Sequence, residues 1–134
     1  MPGHSESDLK TELIKSCRKA GAYARRIEDQ YAVGILDMVI VFPGEPVVFA
    51  EGKIMRTGFI RPTERQFLEG DKIQKLQNSN VLAVLIGWRE QRMYVGGWGE
   101  QLSMSQCLAQ GEETYGQLLK RWLNNGRFAQ PSSS

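Results

Sequence analysis

The chain has 134 residues, a formal net charge of +2, 41% hydrophobic and 24% charged residues. That is enough for one domain spanning 1–134, with 1–4 and 130–134 read as loose ends, and too balanced in charge for a polycationic nucleic-acid coat. The lone His4 and the widely separated Cys17 and Cys107 exclude a histidine-based triad, a multi-histidine metal site, a CxxC motif and a disulfide framework. No apolar run approaches the roughly 18 residues of a membrane span, and no secretory signal is visible. The expectation is a soluble cytoplasmic protein, neither secreted nor membrane-bound.

Residues 6–20 carry Leu9, Leu13, Cys17 and Ala20 at helical spacing, with Ser5 as N-cap and Gly21 as the stop. "AYARRIEDQY" reads as a short strand and a polar loop. "ILDMVIVF" and "VVFAEGKI", joined by "PGEP", read as an antiparallel hairpin over 35–54, apolar on both faces and therefore central in a sheet. "MRTGFIRP" has no period and reads as a mobile loop. Thr63 opens a helix over 63–77. "VLAVLIGW" and "RMYVGGW" are further strands, and 103–124 reads as one or two closing helices. The order predicts a mixed α/β domain.

Three charged residues interrupt the apolar hairpin: Asp37, Glu51 and Lys53. Burying charge is costly unless it is paired or bound to a metal. Glu51 and Lys53 share a face because strand side chains alternate. Pairing Phe42 with Val47 sets Asp37 opposite Gly52, on the wrong face; pairing Phe42 with Pro46, or a five-residue loop, sets Asp37 opposite Glu51 or Lys53. A one-residue slip flips the face, so a site here requires an odd-length loop or a bulge at "PGEP". Two facing carboxylates suit Mg²⁺, which binds through one or two carboxylates, keeps waters and takes substrate phosphate. An acid-x-Lys triplet alone has little weight, since about one is expected by chance in such a chain. On spacing alone, a solvent-facing ion pair on an edge strand is the better reading of Glu51 and Lys53.

The ordered string is more specific. "GILDMVIVFPGEPVVFAEGKI" followed by "PTERQ" resembles the VRR-NUC branch of the PD-(D/E)xK nuclease superfamily: a glutamate in the first helix, G-x-P-D, a hairpin, E-x-K, and a glutamine opening the next helix. Glu6, Gly34 to Asp37, Glu51-Gly52-Lys53 and Gln66 match these elements, and the resemblance runs from about residue 5 to residue 88. Leu36 stands where the family has proline. The resemblance implies a restriction-endonuclease-like core, a mixed sheet flanked by helices, with Asp37, Glu51 and the Gly52 carbonyl holding Mg²⁺ (Mn²⁺ substituting). It implies Lys53 as the catalytic lysine, with Glu6 and Gln66 at the site.

Glu6 lies in the middle of the first helix's apolar stripe, whereas Glu12 falls roughly 100° away. The plain alternative for Glu6 is a first-turn acid favoured by the helix dipole. Thr63 and Gln66 also form a capping box, a role compatible with a site at the same helix end. Arg25, Arg26, Arg56 and Arg61 are candidate phosphate contacts, or ordinary solvated surface. Trp88, Trp98 and Trp122 read as core. The implied activity is Mg²⁺-dependent hydrolysis of DNA phosphodiesters, selective for junctions or branches. Small stand-alone, phage-like members of the family act on such structures, and paired cuts call for a homodimer. A restriction or repair nuclease on duplex DNA, and a catalytically silent nucleic-acid-binding module, are the alternatives.

Overall fold

A computed structural model describes residues 5–27 and 36–125. The first helix, α1 (Glu6–Lys19), begins at a Ser5 cap in which Ser5 and Asp8 satisfy each other's backbone N–H groups. It ends at Ala20, with Gly21 at φ +96°. Strands β1 (Tyr23–Arg26), β2 (Met38–Val41) and β3 (Val47–Ile54) follow, then a two-residue strand β4 (Phe59–Ile60) and helix α2 (Glu64–Lys75). Next come β5 (Val81–Arg89), β6 (Arg92–Gly97), β7 (Leu102–Ser103), a 3-10 turn at Met104–Gln106, β8 (Leu108–Ala109) and helix α3 (Tyr115–Asn124).

Six strands form one mixed sheet in the order β1-β2-β3-β5-β6-β8, parallel only between β3 and β5, where α2 makes the crossover. One face packs on α1 and α3: Leu13, Cys17, Leu118 and Trp122 meet Ile40, Val48, Ala50, Val84 and Trp88. A smaller cluster of Met55, Ile60, Leu85, Tyr94 and Leu102 fills the other face, where Trp98 packs on Gly70 of α2 so closely that a Cβ there would lie 2.0 Å from the indole. Among the described residues no helix is long and apolar enough to cross a membrane.

The hairpin has the register the site requires. Met38 pairs with Ala50 and Val41 with Val47, leaving the five residues Phe42 to Pro46 as the connection. Gly44 at φ +77° allows the turn, and the Glu45 N–H closes it onto the Phe42 carbonyl. Extending the pairing by one residue sets Asp37 opposite Glu51.

Three expectations are corrected. Residues 103–124 are not helical throughout: 102–109 is strand, turn and strand, and the helix starts only at Tyr115. The apolar spacing of Met104, Cys107 and Leu108 imitates a helix, but Leu102 and Leu108 serve the edges of β4 and β6. Gly111 and the Thr114–Gln117 capping box then fix where α3 begins. The 55–62 segment is not a free loop. Met55 and Ile60 are buried, β4 pairs with β7, and the Met55 N–H bonds to the Trp88 carbonyl, so both ends are held in the second core. The hairpin's first strand is also shorter than expected; its residue 35, with Gly34, lies outside the described residues.

Candidate metal and nuclease site

Strand β3 changes character at Ala50. Up to that residue it is hydrogen-bonded to β2 on one side and β5 on the other; from Glu51 onward, among the described residues, β5 is its only strand neighbour. The Met55 N–H points to β5. Because backbone groups alternate along a strand, the N–H and C=O of Gly52 and Ile54 turn the other way, to the open edge. There the Ile54 N–H is taken by the Glu6 carboxylate at 3.2 Å, a side chain doing what β2 no longer does. This bond places the α1 glutamate beside the open end of β3. Glu12, in contrast, is exposed.

Glu51 is fully buried, and neither of its carboxylate oxygens has a hydrogen-bond partner among the described residues. Its nearest cation is Lys53 Nζ at 3.5 Å, beyond the length of a charge-assisted hydrogen bond. Burial, and next the facing Asp37, push its carboxyl up to about 8, against the smaller opposing pull of Lys53 and Lys10. Lys53 is partly exposed, so its ammonium can meet solvent while its stem lines the strand.

Gly52 is required by its neighbours. An added Cβ would lie 2.8 Å from the Trp88 ring and 3.2 Å from Cε of Lys10. Leu36, just before Asp37, is a core residue, 1% exposed, so the chain's approach to Asp37 is anchored by packing.

The residue that sequence reasoning missed is Lys10. Its side chain is buried, its Nζ pairs with Asp37 Oδ2 and also lies 3.1 Å from Glu6 Oε1. Burial works against the ammonium, yet the hydrogen bond to Asp37 and the charges of Asp37, Glu6 and Glu51 outweigh it and hold the pKa above the usual lysine value. A signal existed: Glu6, Lys10 and Ile14 form an i, i+4 row beside the Leu9–Leu13–Cys17 stripe, and a lysine in that row faces inward.

Gln66 sits at the start of α2, where Thr63 Oγ1 accepts from its N–H and its own Oε1 accepts from the Thr63 N–H at 2.9 Å. The cap is therefore formed, and it occupies the amide oxygen. The four arginines fall in two places. Arg25 is exposed on β1, and Arg26 donates to Ser7 Oγ at 2.9 Å; with Lys15 and Arg18 they line a groove of about 280 Å³ beside α1. Arg56 and Arg61 are exposed on either side of β4, and Arg61 bonds to Gln101. A larger cleft of about 650 Å³ between α1 and α3 is lined by Glu12 but touches none of Glu6, Asp37 and Glu51, and its Ser16 and Tyr115 hydroxyls are engaged by Gly116 and Gln91. Trp88 and Trp122 are core, and Trp98 is half-buried.

No three His, Cys, Asp or Glu side chains lie at metal-ligand spacing among the described residues. The oxygens on offer are Asp37, Glu51 and the edge-facing Gly52 carbonyl: hard donors, too few to enclose a metal. They fit Mg²⁺, which retains waters, and the unpartnered Glu51 oxygens are groups such an ion would satisfy.

No protein-family model and no curated protein sequence matches the chain. Solved structures do. The chain is similar to Hjc, a Holliday junction resolvase from the archaeal hyperthermophile Archaeoglobus fulgidus, with a TM-score of 0.54 and 13% identity over 81% of this chain and 84% of that one. The fold is restriction-endonuclease-like. A second similar structure is a VRR_NUC domain, with a TM-score of 0.47 and 20% identity over 60% of this chain and 82% of that one. A restriction-endonuclease-like core, a mixed sheet flanked by helices, is the fold that the residue series from Glu6 to Gln66 implied.

Proposed function

We propose that this chain is a Mg²⁺-dependent endonuclease that hydrolyses DNA phosphodiester bonds, with a preference for junctions or branches, acting as a homodimer. The observation that carries the reading is Glu51: a fully buried carboxylate without hydrogen-bond partners, facing Asp37 and next to Lys53, at the end of β3 that β2 leaves open. A buried acid so arranged is a poor device for stability and a good one for holding a cation. Likeness to a junction resolvase in fold supports the substrate class.

Asp37, Glu51 and the Gly52 carbonyl would hold the metal, Mn²⁺ serving in place of Mg²⁺. Bound there, it supplies positive charge to the scissile phosphate and to the attacking water. Lys53, partly exposed and 3.5 Å from Glu51, positions that water as an ammonium, or takes its proton once it has itself given up one to solvent as the free amine. Glu6 fixes the end of β3 through the Ile54 N–H and so keeps Gly52 and Lys53 in place. Gln66 stands at the site's edge with its amide nitrogen free of the cap. Arg25 and Arg26 on one flank, and Arg56 and Arg61 on the other, meet phosphates and fix the duplex without reading sequence.

The test uses linear duplex, flap and four-way junction DNA, each with Mg²⁺ or EDTA, and wild type beside Lys53→Ala. The expected result is junction or flap cleavage that EDTA abolishes and Lys53→Ala reduces by at least ~10²-fold, the usual scale of a proton-transfer group. Cleavage that survives EDTA or Lys53→Ala sinks the mechanism. Binding of every substrate without cleavage favours the silent binding module.

A further inference from the structure

The site contains a cation of its own. Lys10 reaches across Gly52, its Cε 3.2 Å from where a Cβ would stand, and its ammonium lies against Asp37 and 3.1 Å from Glu6. A lysine is rarely buried unless paired, and this one is 6% exposed. Its position on α1 is not needed to anchor the helix, since Leu9, Leu13, Ile14 and Cys17 already pack there. Nor is Lys10 a second copy of Lys53: it lies on the α1 side of the sheet, against the carboxylate that the metal would need.

We propose that Lys10 is the site's resident counter-ion: it neutralises Asp37 in the metal-free protein and yields that carboxylate to the incoming divalent cation while keeping its contact with Glu6. Metal loading is then an exchange of one cation for another. The acid pair is held in register before the metal arrives, and the affinity for the metal is set lower than the same oxygens would give without the lysine. Two charges on the metal against one on the ammonium decide the exchange, so divalent cations win the site and monovalent ones do not. Glu6 serves both sides of this arrangement, one oxygen holding the Ile54 N–H and the other receiving Lys10. Lys10 is thus a positioning residue, and the inference rests on the proposed metal site at Asp37 and Glu51.

The experiment measures Mn²⁺ binding by calorimetry, and thermal unfolding in EDTA and in saturating Mn²⁺, for wild type, Lys10→Met, Lys10→Gln and Lys10→Arg. Lys10→Met and Lys10→Gln are expected to bind Mn²⁺ at least tenfold more tightly than wild type, to melt lower in EDTA, and to regain most of that loss with Mn²⁺. Lys10→Arg, which keeps the charge, should stay near wild type in affinity. Unchanged or weaker Mn²⁺ binding by Lys10→Met and Lys10→Gln overturns the proposal, as does a melting loss that Mn²⁺ does not restore, which is the mark of a packing role only. A Mn²⁺-bound crystal structure of the wild type with Lys10 still on Asp37 overturns it too, whether or not the variants fold. Asp37→Asn separates the two ideas: Mn²⁺ binding that survives this change refutes the site itself, whereas binding lost in Asp37→Asn but indifferent to Lys10 refutes the exchange alone.

Discussion

The two halves of β3 face different problems within one continuous strand. Val47 to Ala50 lie between β2 and β5, and Val48 and Ala50 are sealed against α1 and α3. Glu51 to Ile54 keep β5 but lose β2, and the space is taken by side chains of α1: Glu6 on the Ile54 N–H, Lys10 over Gly52 and onto Asp37. The first half obtains its order from packing. The second is ordered by the first and by α1, which frees its own groups for charge. Ending β2 one residue short of Glu51 is therefore what makes a buried acid tolerable at this point.

Exchanging characters between the halves is the harshest test. Ala50→Glu drives a carboxylate into the α1–α3 core, where Ala50 is 0% exposed and apolar groups surround it. The expected loss is about 4 kcal/mol or more, or no cooperative unfolding transition at all, read by urea denaturation. Glu51→Leu, one residue on, should do the opposite in EDTA. It replaces an unpartnered buried acid with an apolar side chain, which commonly gains about 1–4 kcal/mol, while abolishing Mn²⁺ binding and cleavage. If Glu51→Leu destabilises the protein as much as Ala50→Glu, the halves do not differ and the comparison fails.

A gentler probe is pH. The Glu51 carboxyl is raised from 4.5 to about 8 in the folded chain. The folded state therefore holds this proton more tightly than the unfolded state does, and its contribution to stability is complete below about pH 4.5 and lost as pH rises to about 8. In EDTA the wild type should lose about 2–5 kcal/mol across that window, the upper figure being the full shift at 1.36 kcal/mol per unit. Glu51→Gln should flatten the profile, since it keeps the shape and cannot ionise. Mg²⁺ at pH 8 should restore what the wild type has lost, with a proton released on binding. A wild-type profile parallel to that of Glu51→Gln would show that Glu51 does not carry the shift.

Close approach gives a smaller effect. Gly52→Ala must push the Trp88 ring or the Lys10 stem aside, costing about 1–3 kcal/mol as overpacking does. In the other half's turn, Gly44→Ala meets no neighbour within 4 Å and pays only for φ +77°, about 1 kcal/mol. Adding Trp88→Phe should recover part of the first loss and none of the second, measured in a double-mutant cycle.

Much of this was legible in the chain, for identifiable reasons. Hairpin register follows from the demand that Asp37 and Glu51 share a face, which requires an odd-length connection, and the structure has one in the five residues Phe42 to Pro46. Helical angle pointed Glu6 inward and Glu12 to solvent, and in the structure Glu6 reaches the Ile54 N–H while Glu12 is exposed. Lys10 was not found because a lysine is nearly always read as surface, even in a helical row that faces inward, and the gap left by β2 that receives its ammonium leaves no mark on α1. The 102–109 strands escaped because two-residue strands carry no period, and Leu102 and Leu108 acquire their meaning from β4 and β6, distant in sequence. Nonlocal edges leave no local trace.

Gln66 supplies the smallest effect and the finest distinction, because its two assigned roles use different atoms. The cap uses its side-chain oxygen, bonded to the Thr63 N–H at 2.9 Å; a role at the site's edge uses the amide nitrogen. Gln66→Glu keeps an acceptor at this position of the capping box, so Tm should stay within about 2 °C of wild type. Gln66→Ala loses the box and about 1 kcal/mol, much as Thr63→Ala should. Cleavage separates the roles. If the amide nitrogen serves the site, Gln66→Glu is the more damaging change for activity, since it removes a donor and adds a charge near the phosphate, while it remains the milder change for stability. If activity merely follows Tm across Gln66→Glu, Gln66→Ala and Thr63→Ala, the residue is a cap and nothing more, and the site ends at β3 and α1.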